Sequence, residues 1–108
     1  MDRGILVNLT PHGVTVQNIH IEASGVVARV TEDLVPSFHV LSQEGDVLVS
    51  TRTFGQIVGL PAQRAGVWCI VSSIVKAAAP ADRWDLLVPA GLIRDETGNV
   101  VGCQTLVQ

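Results

Sequence analysis

The stretch WCIVSSIVKAAAP, residues 68–80, constrains the fold of this chain more than any other segment. Its first half belongs to an apolar run, VWCIV at residues 67–71, which is typical of a central strand buried on both faces. From Ser72 to Ala79 the residues favour a helix, because alanine has a high helix propensity and Pro80 ends the element. The sequence therefore predicts that a buried strand passes directly into a short helix.

Two serines stand at this junction, and two interpretations of them remain open. Ser72 or Ser73 can cap the helix by accepting a hydrogen bond from a backbone N–H of its first turn. Alternatively, the helix N-terminus and the serine hydroxyls can bind a negatively charged ligand such as a phosphate. Composition and spacing do not distinguish the two, and neither GxGxxG nor GxxxxGK[ST], the Gly-rich phosphate-binding motifs, occurs in the sequence.

The rest of the chain alternates between valine-rich extended segments and turns. Hydrophobic residues make up 47% of the sequence, and the abundant β-branched ones fit the pleated surface of a sheet. Strands are predicted at residues 4–9, 14–23, 26–34, 67–71, 86–95 with an interruption at 89–91, and 100–107, and a hairpin is predicted around residues 44–46. We therefore predict an α+β fold: a small, mainly antiparallel β domain with one short helix at about residues 72–79.

The length of 108 residues suggests a single domain that covers residues 1–108. Cys69 and Cys103 lie in apolar, strand-like runs, so we expect buried free thiols in a reducing compartment. The apolar run near the N-terminus is too short for a signal peptide, and no apolar stretch reaches the roughly 18–20 residues that span a membrane. We expect a soluble protein of the host cell cytoplasm with no membrane partner.

Charge and residue spacing argue against two classes of function. The net charge of −3 disfavours a nucleic-acid partner, which normally requires a basic surface. The three histidines, at positions 12, 20 and 39, are scattered, so no metal site and no other cofactor is expected. No catalytic pair stands at a defensible spacing, and we expect a protein that is not an enzyme. Six of the seven cations are arginine, which suits phosphates and flat rings, although a GC-rich genome explains the same bias.

Trp68 and Arg94 are the side chains of greatest chemical interest. A tryptophan on a central strand is usually part of the core, but at a pocket mouth or subunit junction its ring can stack on a purine. Trp84, in the polar loop between Arg83 and Asp85, is a second aromatic candidate. Arg94 is either an ordinary edge charge or a guanidinium that contacts the ring or phosphate of a ligand.

Several segments, taken together, resemble small proteins of phages and prophages. They are VNLTPHGVTV, SGVVARV and GLPAQRAGVWCIVSSIVKAAAPADRWDLLVPAGLIRDETGNVVGC. This pattern, which runs over most of the chain, resembles the phage anti-Thoeris sponge family, whose members bind and sequester cyclic ADP-ribose isomers made by bacterial TIR-domain immune enzymes. The resemblance implies binding without cleavage in a pocket between the subunits of a homo-oligomer. That assembly would be a dimer or larger, up to a hexamer, and higher assemblies would also hold cyclic dinucleotides.

The resemblance also implies a set of ligand-binding residues. An aromatic side chain and an arginine would sandwich the adenine, and Trp68 and Arg94 match these positions, with Trp68 where Phe or Tyr is expected. Arg29, in the segment VARV, matches a phosphate partner. The polar contacts to diphosphate and ribose that the resemblance implies are Ser72, Ser73 and Asp95.

The sequence is thus compatible with three functions from different classes. The first is an anti-defence protein that sequesters a cyclic nucleotide signal. The second is a small structural or assembly protein of a phage or prophage that has no small-molecule ligand and uses its apolar strand edges for assembly. The third and weakest is a nucleotide-cleaving enzyme with His12 as general base.

Overall fold

The computed structural model describes residues 4–108, which form eight strands and one helix. The elements are β1 (Ile5–Asn8), β2 (Val14–Val16), β3 (Ile19–Ile21), β4 (Arg29–Ser42), β5 (Gly45–Val58), β6 (Val67–Ile70), α1 (Ser73–Ala78), β7 (Leu86–Arg94) and β8 (Val100–Val107). Six of the strands form one sheet in the order β1-β6-β7-β8-β2-β3, and β4 pairs with β5 in a separate two-stranded sheet.

The six-stranded sheet mixes parallel and antiparallel pairs. Strand β6 runs parallel to both β1 and β7, and α1 forms the crossover from β6 to β7. A parallel connection needs such a crossover, whereas antiparallel neighbours can be joined by a tight turn. The β7–β8 and β2–β3 pairs are antiparallel, and a single bridge between Val16 and Cys103 joins β2 to β8 in parallel.

The two edges of this sheet approach each other, so that the sheet is nearly closed. The Asn8 side-chain amide, at the end of β1, donates to the carbonyl of Ile21 at 3.1 Å and to that of His12 at 2.8 Å. The Ser24 N–H donates to the Asn8 carbonyl at 3.0 Å. Asn8 Oδ1 also accepts from the Thr10 backbone N–H and hydroxyl, so the Asn8 side chain organises this turn.

The core lies between the parallel strands, α1 and the base of the long hairpin. Alternate residues of β6 and the residue after it, Cys69 and Val71, face this core, where they meet Val75 of α1. Its buried members are Leu9, Ala28, Cys69, Val71, Val75 and Leu86. The prediction that residues 67–71 form a buried strand is therefore confirmed for Cys69, Ile70 and Val71, whose exposure is at most 2%.

Strands β4 and β5 form a hairpin that extends far from this core. Each strand is 14 residues long, which corresponds to about 45 Å of extended chain. Only the base packs on the body, through the partly buried Val30 and Ile57. The radius of gyration is 17.6 Å, whereas a compact domain of this length has about 13 Å.

The α+β prediction is wrong, because the fold is mainly β. Strands account for 56% of the residues and the helix for only 6%. The helical segment is short because Ala79 already adopts an extended conformation before Pro80, and the valine-rich region 29–58 forms two long strands where the sequence predicted shorter pieces. The sheet is also more parallel than predicted, and β7 continues through Pro89 and Gly91, where an interruption was expected.

Within residues 4–108, α1 is too short to cross a bilayer, and no helix there is long and apolar enough to do so.

Candidate functional site

The helix entry at Ser72 is explained by capping. Ser72 has extended backbone angles, and its Oγ accepts a hydrogen bond from the Val75 N–H at 3.3 Å. This satisfies one of the unpaired N–H groups of the first turn, as an N-cap does. Ser73 is the first residue of α1 and is exposed, like Ser72. Of the two interpretations of this junction, the cap is observed.

Trp68 lies on β6 outside the buried core cluster. It is cross-strand from Leu6 of β1, and its ring meets that of Trp84 with centroids 5.0 Å apart and planes inclined by 72°. This edge-to-face geometry is favoured because the positive edge of one ring faces the negative face of the other. Trp84 itself is 42% exposed, as its polar loop predicted. The pair therefore forms an aromatic surface rather than a part of the core.

The Trp68 ring borders a cavity of about 450 Å³ at the outer face of β1, β6, β7 and β8. The cavity is lined by Gly4, Ile5, Leu6, Trp68, Leu87, Leu106 and Gln108. Gln108 donates from Nε2 to the Trp84 carbonyl at 2.8 Å, which ties the chain end to the loop beside the cavity. Its mostly apolar lining with one polar side chain, Gln108, resembles that of small-molecule sites, but the cavity is wide and largely open to solvent on one side.

Gly4 allows the backbone to approach the Trp68 ring closely. A Cβ added at this position would lie 2.7 Å from Trp68 Cδ1 and 2.9 Å from Nε1. A Cβ atom essentially never lies this close to a non-bonded atom, so any larger residue would displace the ring. The glycine thus helps to set the position of the indole beside the cavity.

Arg94 and Asp95 lie at the turn between β7 and β8. Arg94 Nη1 donates to the Gly98 carbonyl at 2.8 Å, and Asp95 Oδ1 accepts from the Thr97 N–H, the Thr97 hydroxyl and the Asn99 N–H at 2.7–3.0 Å. The Thr97 hydroxyl bond, followed by the backbone bonds, lowers the pKa of Asp95. Asp95 therefore organises the turn. Arg94 is exposed, and it uses one of its five N–H donors on the Gly98 carbonyl of this turn.

Within one chain, the structure separates the residues that the resemblance groups together. Because Cys69 is aligned with Leu86, Trp68 lies level with the start of β7, whereas Arg94 is its last residue. Nine residues of strand correspond to about 25 Å. Arg29 lies elsewhere again, at the base of the long hairpin opposite Val58. Neither Arg94 nor Arg29 lines the cavity beside Trp68.

Sequence reasoning missed a buried ion pair between Arg83 and Asp85, which lie on either side of Trp84. The two side chains are 13% and 2% exposed, and the guanidinium binds both carboxylate oxygens at 2.9 Å. Hydrogen bonding to Arg83 lowers the pKa of Asp85 and raises that of Arg83. The sequence carried no clear signal for this pair, because residues 81–85 form a loop in which the alternation of a strand does not apply.

The remaining polar groups form local contacts. His20 is bonded to Thr15 Oγ1 at 2.8 Å and lies 3.2 Å from a carboxylate oxygen of Glu22, as expected for two residues on one face of a strand. Cys69 and Cys103 are buried free thiols, and burial, reinforced by the Asp85 charge, raises the pKa of Cys69. Among residues 4–108, no three His, Cys, Asp or Glu side chains are grouped so as to hold a metal ion.

No protein-family model matches this chain, and neither the curated proteins nor the solved structures include a significant match.

Proposed function

We propose that this protein binds a small cyclic nucleotide signal and sequesters it without cleaving it, in the role of a phage or prophage anti-defence protein. The ligand class is a cyclic ADP-ribose isomer, with cyclic dinucleotides as further candidates for a higher assembly. The observation that carries this proposal is the Trp68 ring, which is braced by Trp84 and borders a cavity of about 450 Å³. The resemblance of the sequence motifs supplies the identity of the ligand class.

An indole ring at a cavity wall is well suited to bind adenine. A base that stacks on an aromatic ring gains about 1–3 kcal/mol, and stacking requires only that one face of the ring be accessible. The edge-to-face contact with Trp84 fixes the orientation of the Trp68 ring before a ligand arrives. Such preorganisation reduces the entropy that binding would otherwise cost.

Arg94 is the proposed second half of the adenine or phosphate contact. Its guanidinium is exposed and is held by the Gly98 carbonyl, so four N–H donors remain for a ligand. Because about 25 Å of strand separates it from Trp68, the two residues would meet on one ligand only if they came from different copies of the chain. The proposal therefore includes a homo-oligomer, a dimer or larger, with the ligand at a junction between copies.

The remaining proposed contacts are those that the resemblance implies. Asp95 keeps Oδ2 outside the turn bonds described above, where it can accept from a ribose hydroxyl. Ser72 accepts through Oγ as the helix cap and retains its hydroxyl proton for a diphosphate oxygen, together with Ser73. Arg29, exposed at the hairpin base, is the proposed phosphate partner.

Neither of the two carboxylates with a lowered pKa is a candidate general acid. Asp85 and Asp95 both have lowered pKa values, because Arg83 bonds the first and Thr97 the second. A carboxylate that remains ionised at neutral pH cannot act as a general acid on a glycosidic or phosphate leaving group. The proposed place of action is the host cytoplasm, where such nucleotide signals are made and where free thiols such as Cys69 and Cys103 persist.

The test is calorimetric titration with a panel of cyclic ADP-ribose isomers and cyclic dinucleotides, followed by heating of the saturated protein and mass analysis of the released material. We expect one class of nucleotide in the panel to bind with a defined stoichiometry and to be recovered intact. A cleaved product would require an enzyme instead. Absence of binding to every member of the panel would overturn the proposal.

A second function, assembly without a small ligand, is favoured by one observation. The long hairpin exposes large apolar side chains on both faces, including Leu34, Phe38, Leu41 and Phe54. Exposed apolar surface of this extent is typical of a protein-binding region. A purified chain that self-associates but retains no nucleotide in the titration above would favour this function.

A further inference from the structure

We infer that two copies of this chain associate through one face of the β4–β5 hairpin, packed face to face around a two-fold axis. This association does not depend on which ligand, if any, the protein binds. The cross-strand register of the hairpin defines the surface, because opposite residues in an antiparallel pair share a face and successive residues alternate between faces.

The register divides the outer half of the hairpin into two unlike faces. One face carries three successive cross-strand pairs, Val35–Thr51, Phe38–Val49 and Val40–Val47, and a bulge at Ser37 keeps them aligned. We call the five apolar members of these pairs the distal apolar face. They are Val35, Phe38, Val40, Val47 and Val49.

The opposite face of the hairpin mixes charged side chains with exposed apolar ones, among them Leu34, Leu41 and Phe54. Glu32 and Arg52 form an ion pair there at 3.2 Å, and His39 and Asp46 follow towards the tip. The distal apolar face contains no ionisable side chain, and the nearest one on the same side is Asp33, towards the base. The two faces therefore differ in charge, and only the distal apolar face could be buried against another surface without burying an ionisable side chain.

Nothing within residues 4–108 covers the distal apolar face. Phe38 is 56% exposed, and Val35, Val40 and Val47 are each about half exposed. A two-stranded ribbon is marginally stable by itself and normally requires further strands or a packing partner. Only the base of this hairpin packs on the body, at Val30 and Ile57.

The size of the face fits a second copy. Four side chains that are about half exposed, together with the partly buried Val49, offer on the order of 400 Å² of apolar surface. Since interfaces are about 60% apolar, this corresponds to about 700 Å² per copy, close to the roughly 800 Å² per partner of a standard interface. A stable dimer therefore needs no surface beyond this face and its margins.

The face is also compatible with itself under a two-fold operation. The middle pair, Phe38–Val49, would lie near the axis, and the Val35 end of one copy would meet the Val40 end of the other. The two Asp33 carboxylates would then lie on opposite sides, roughly 30 Å apart, beyond the screening length of about 8 Å. Thus no like charges would oppose each other in the interface.

The matched variants are Val47→Glu and Leu48→Glu, in the absence of nucleotide. These neighbours are 53% and 50% exposed but lie on opposite faces of the hairpin. By sedimentation equilibrium at about 50 µM we expect a dimer for the unchanged chain and for Leu48→Glu. For Val47→Glu we expect the dimer dissociation constant to rise about 100-fold or more, because two carboxylates would be buried close together.

A second measurement covers the case in which Val47→Glu does not fold, as judged by circular dichroism. Val49→Cys, near the proposed axis, should form a disulfide between copies on mild oxidation, whereas Leu48→Cys should not, and the native thiols are buried.

A monomeric unchanged chain would overturn the inference and would point to a different protein as the cover of this face. Equal effects of the two glutamate variants, or equal cross-linking of the two cysteine variants, would also overturn it. A dimer that binds no nucleotide would leave this inference intact and contradict only the proposed function.

Discussion

The Arg83 guanidinium binds the Asp85 carboxylate through two hydrogen bonds of 2.9 Å, one from Nε and one from Nη2. Nη2 also donates to the Pro61 carbonyl at 3.0 Å, and the Asp85 carbonyl accepts from the Cys69 N–H at 2.8 Å. The pair therefore joins the loop after β5 and the start of β7 to the central strand β6. Trp84 lies between the two residues in sequence, so the pair also positions the aromatic surface beside the cavity.

Replacement of Asp85 by Asn should lower the free energy of unfolding by about 3 kcal/mol, because the largely buried Arg83 guanidinium would lose its ionic partner. The measurement is urea unfolding at pH 7. Asp82→Asn is the matched control, since Asp82 lies in the same loop but is exposed, and its effect should be within about 0.5 kcal/mol. Equal effects of the two substitutions would contradict a stabilising role for the pair.

The same pair predicts a pH dependence. Hydrogen bonding to Arg83 lowers the pKa of Asp85 in the folded protein below its unfolded value of about 3.9. Its contribution to stability is therefore fully present above about pH 4 and is lost as the pH falls through the lower, folded-state pKa. The stability difference between the unchanged chain and Asp85→Asn should be constant at neutral pH and shrink in acid. A difference that stays constant through the acid transition would contradict this assignment.

Trp68→Ala should weaken binding of the cyclic nucleotide by about 10- to 100-fold, because the base would lose its stacking surface. Trp68→Phe is the control and should retain most of the affinity, since it keeps a flat ring at the same position. Calorimetric titration measures both, and thermal unfolding establishes that each variant is folded. A folded Trp68→Ala protein with unchanged affinity would exclude the stacking role.

Arg94→Ala should weaken nucleotide binding by about tenfold or more, because a charge-assisted contact would be lost. Stability should change little, since Arg94 is exposed and its side chain bonds only the Gly98 carbonyl of its own turn. Arg52→Ala is the control, since it removes an equally exposed arginine from the hairpin. Similar losses of affinity in the two variants would indicate a general charge effect and contradict a specific contact.

Gly59→Ala should destabilise the protein much more than Gly25→Ala. Both glycines have positive φ values, 80° and 94°, which cost an alanine about 1 kcal/mol. At Gly59 the added Cβ would also collide with the Val27 carbonyl oxygen, whereas at Gly25 nothing lies within 4 Å. Urea unfolding of the two variants measures the difference, and equal losses would show that the collision is relieved at no cost.

Local features of this protein follow from its sequence. The buried strand at 67–71, the short helix that Pro80 ends, and the turn around Asn8 and Thr10 each depend on neighbouring residues whose propensities agree. Trp84 is partly exposed, as its place in a loop suggests, although its charged neighbours Arg83 and Asp85 are themselves largely buried. The fold class was wrong because a helix of six residues was given the weight of a structural layer.

The candidate site depended on longer distances. The sequence indicated Trp68 and Arg94 as ligand-binding side chains, but it contained no information on the nearly full length of β7 between them. The sequence also left both a core position and a pocket position open for Trp68, because an apolar run does not show which face of a strand meets a neighbour. The contact with Trp84 and the cavity beside it depend on which strands become neighbours.

The sequence by itself determined the buried strand near residues 67–71, the short helix after it and the turn of the long hairpin, since these follow from backbone preferences and hydrophobic periodicity within a few residues. Only the tertiary structure decided the parallel pairing of β6, the ion pair between Arg83 and Asp85, and the absence of charge from the distal apolar face of the hairpin. The physical reason is register. Pairing between distant segments sets which side chains share a face, and a shift of one residue reverses that arrangement without altering any local preference.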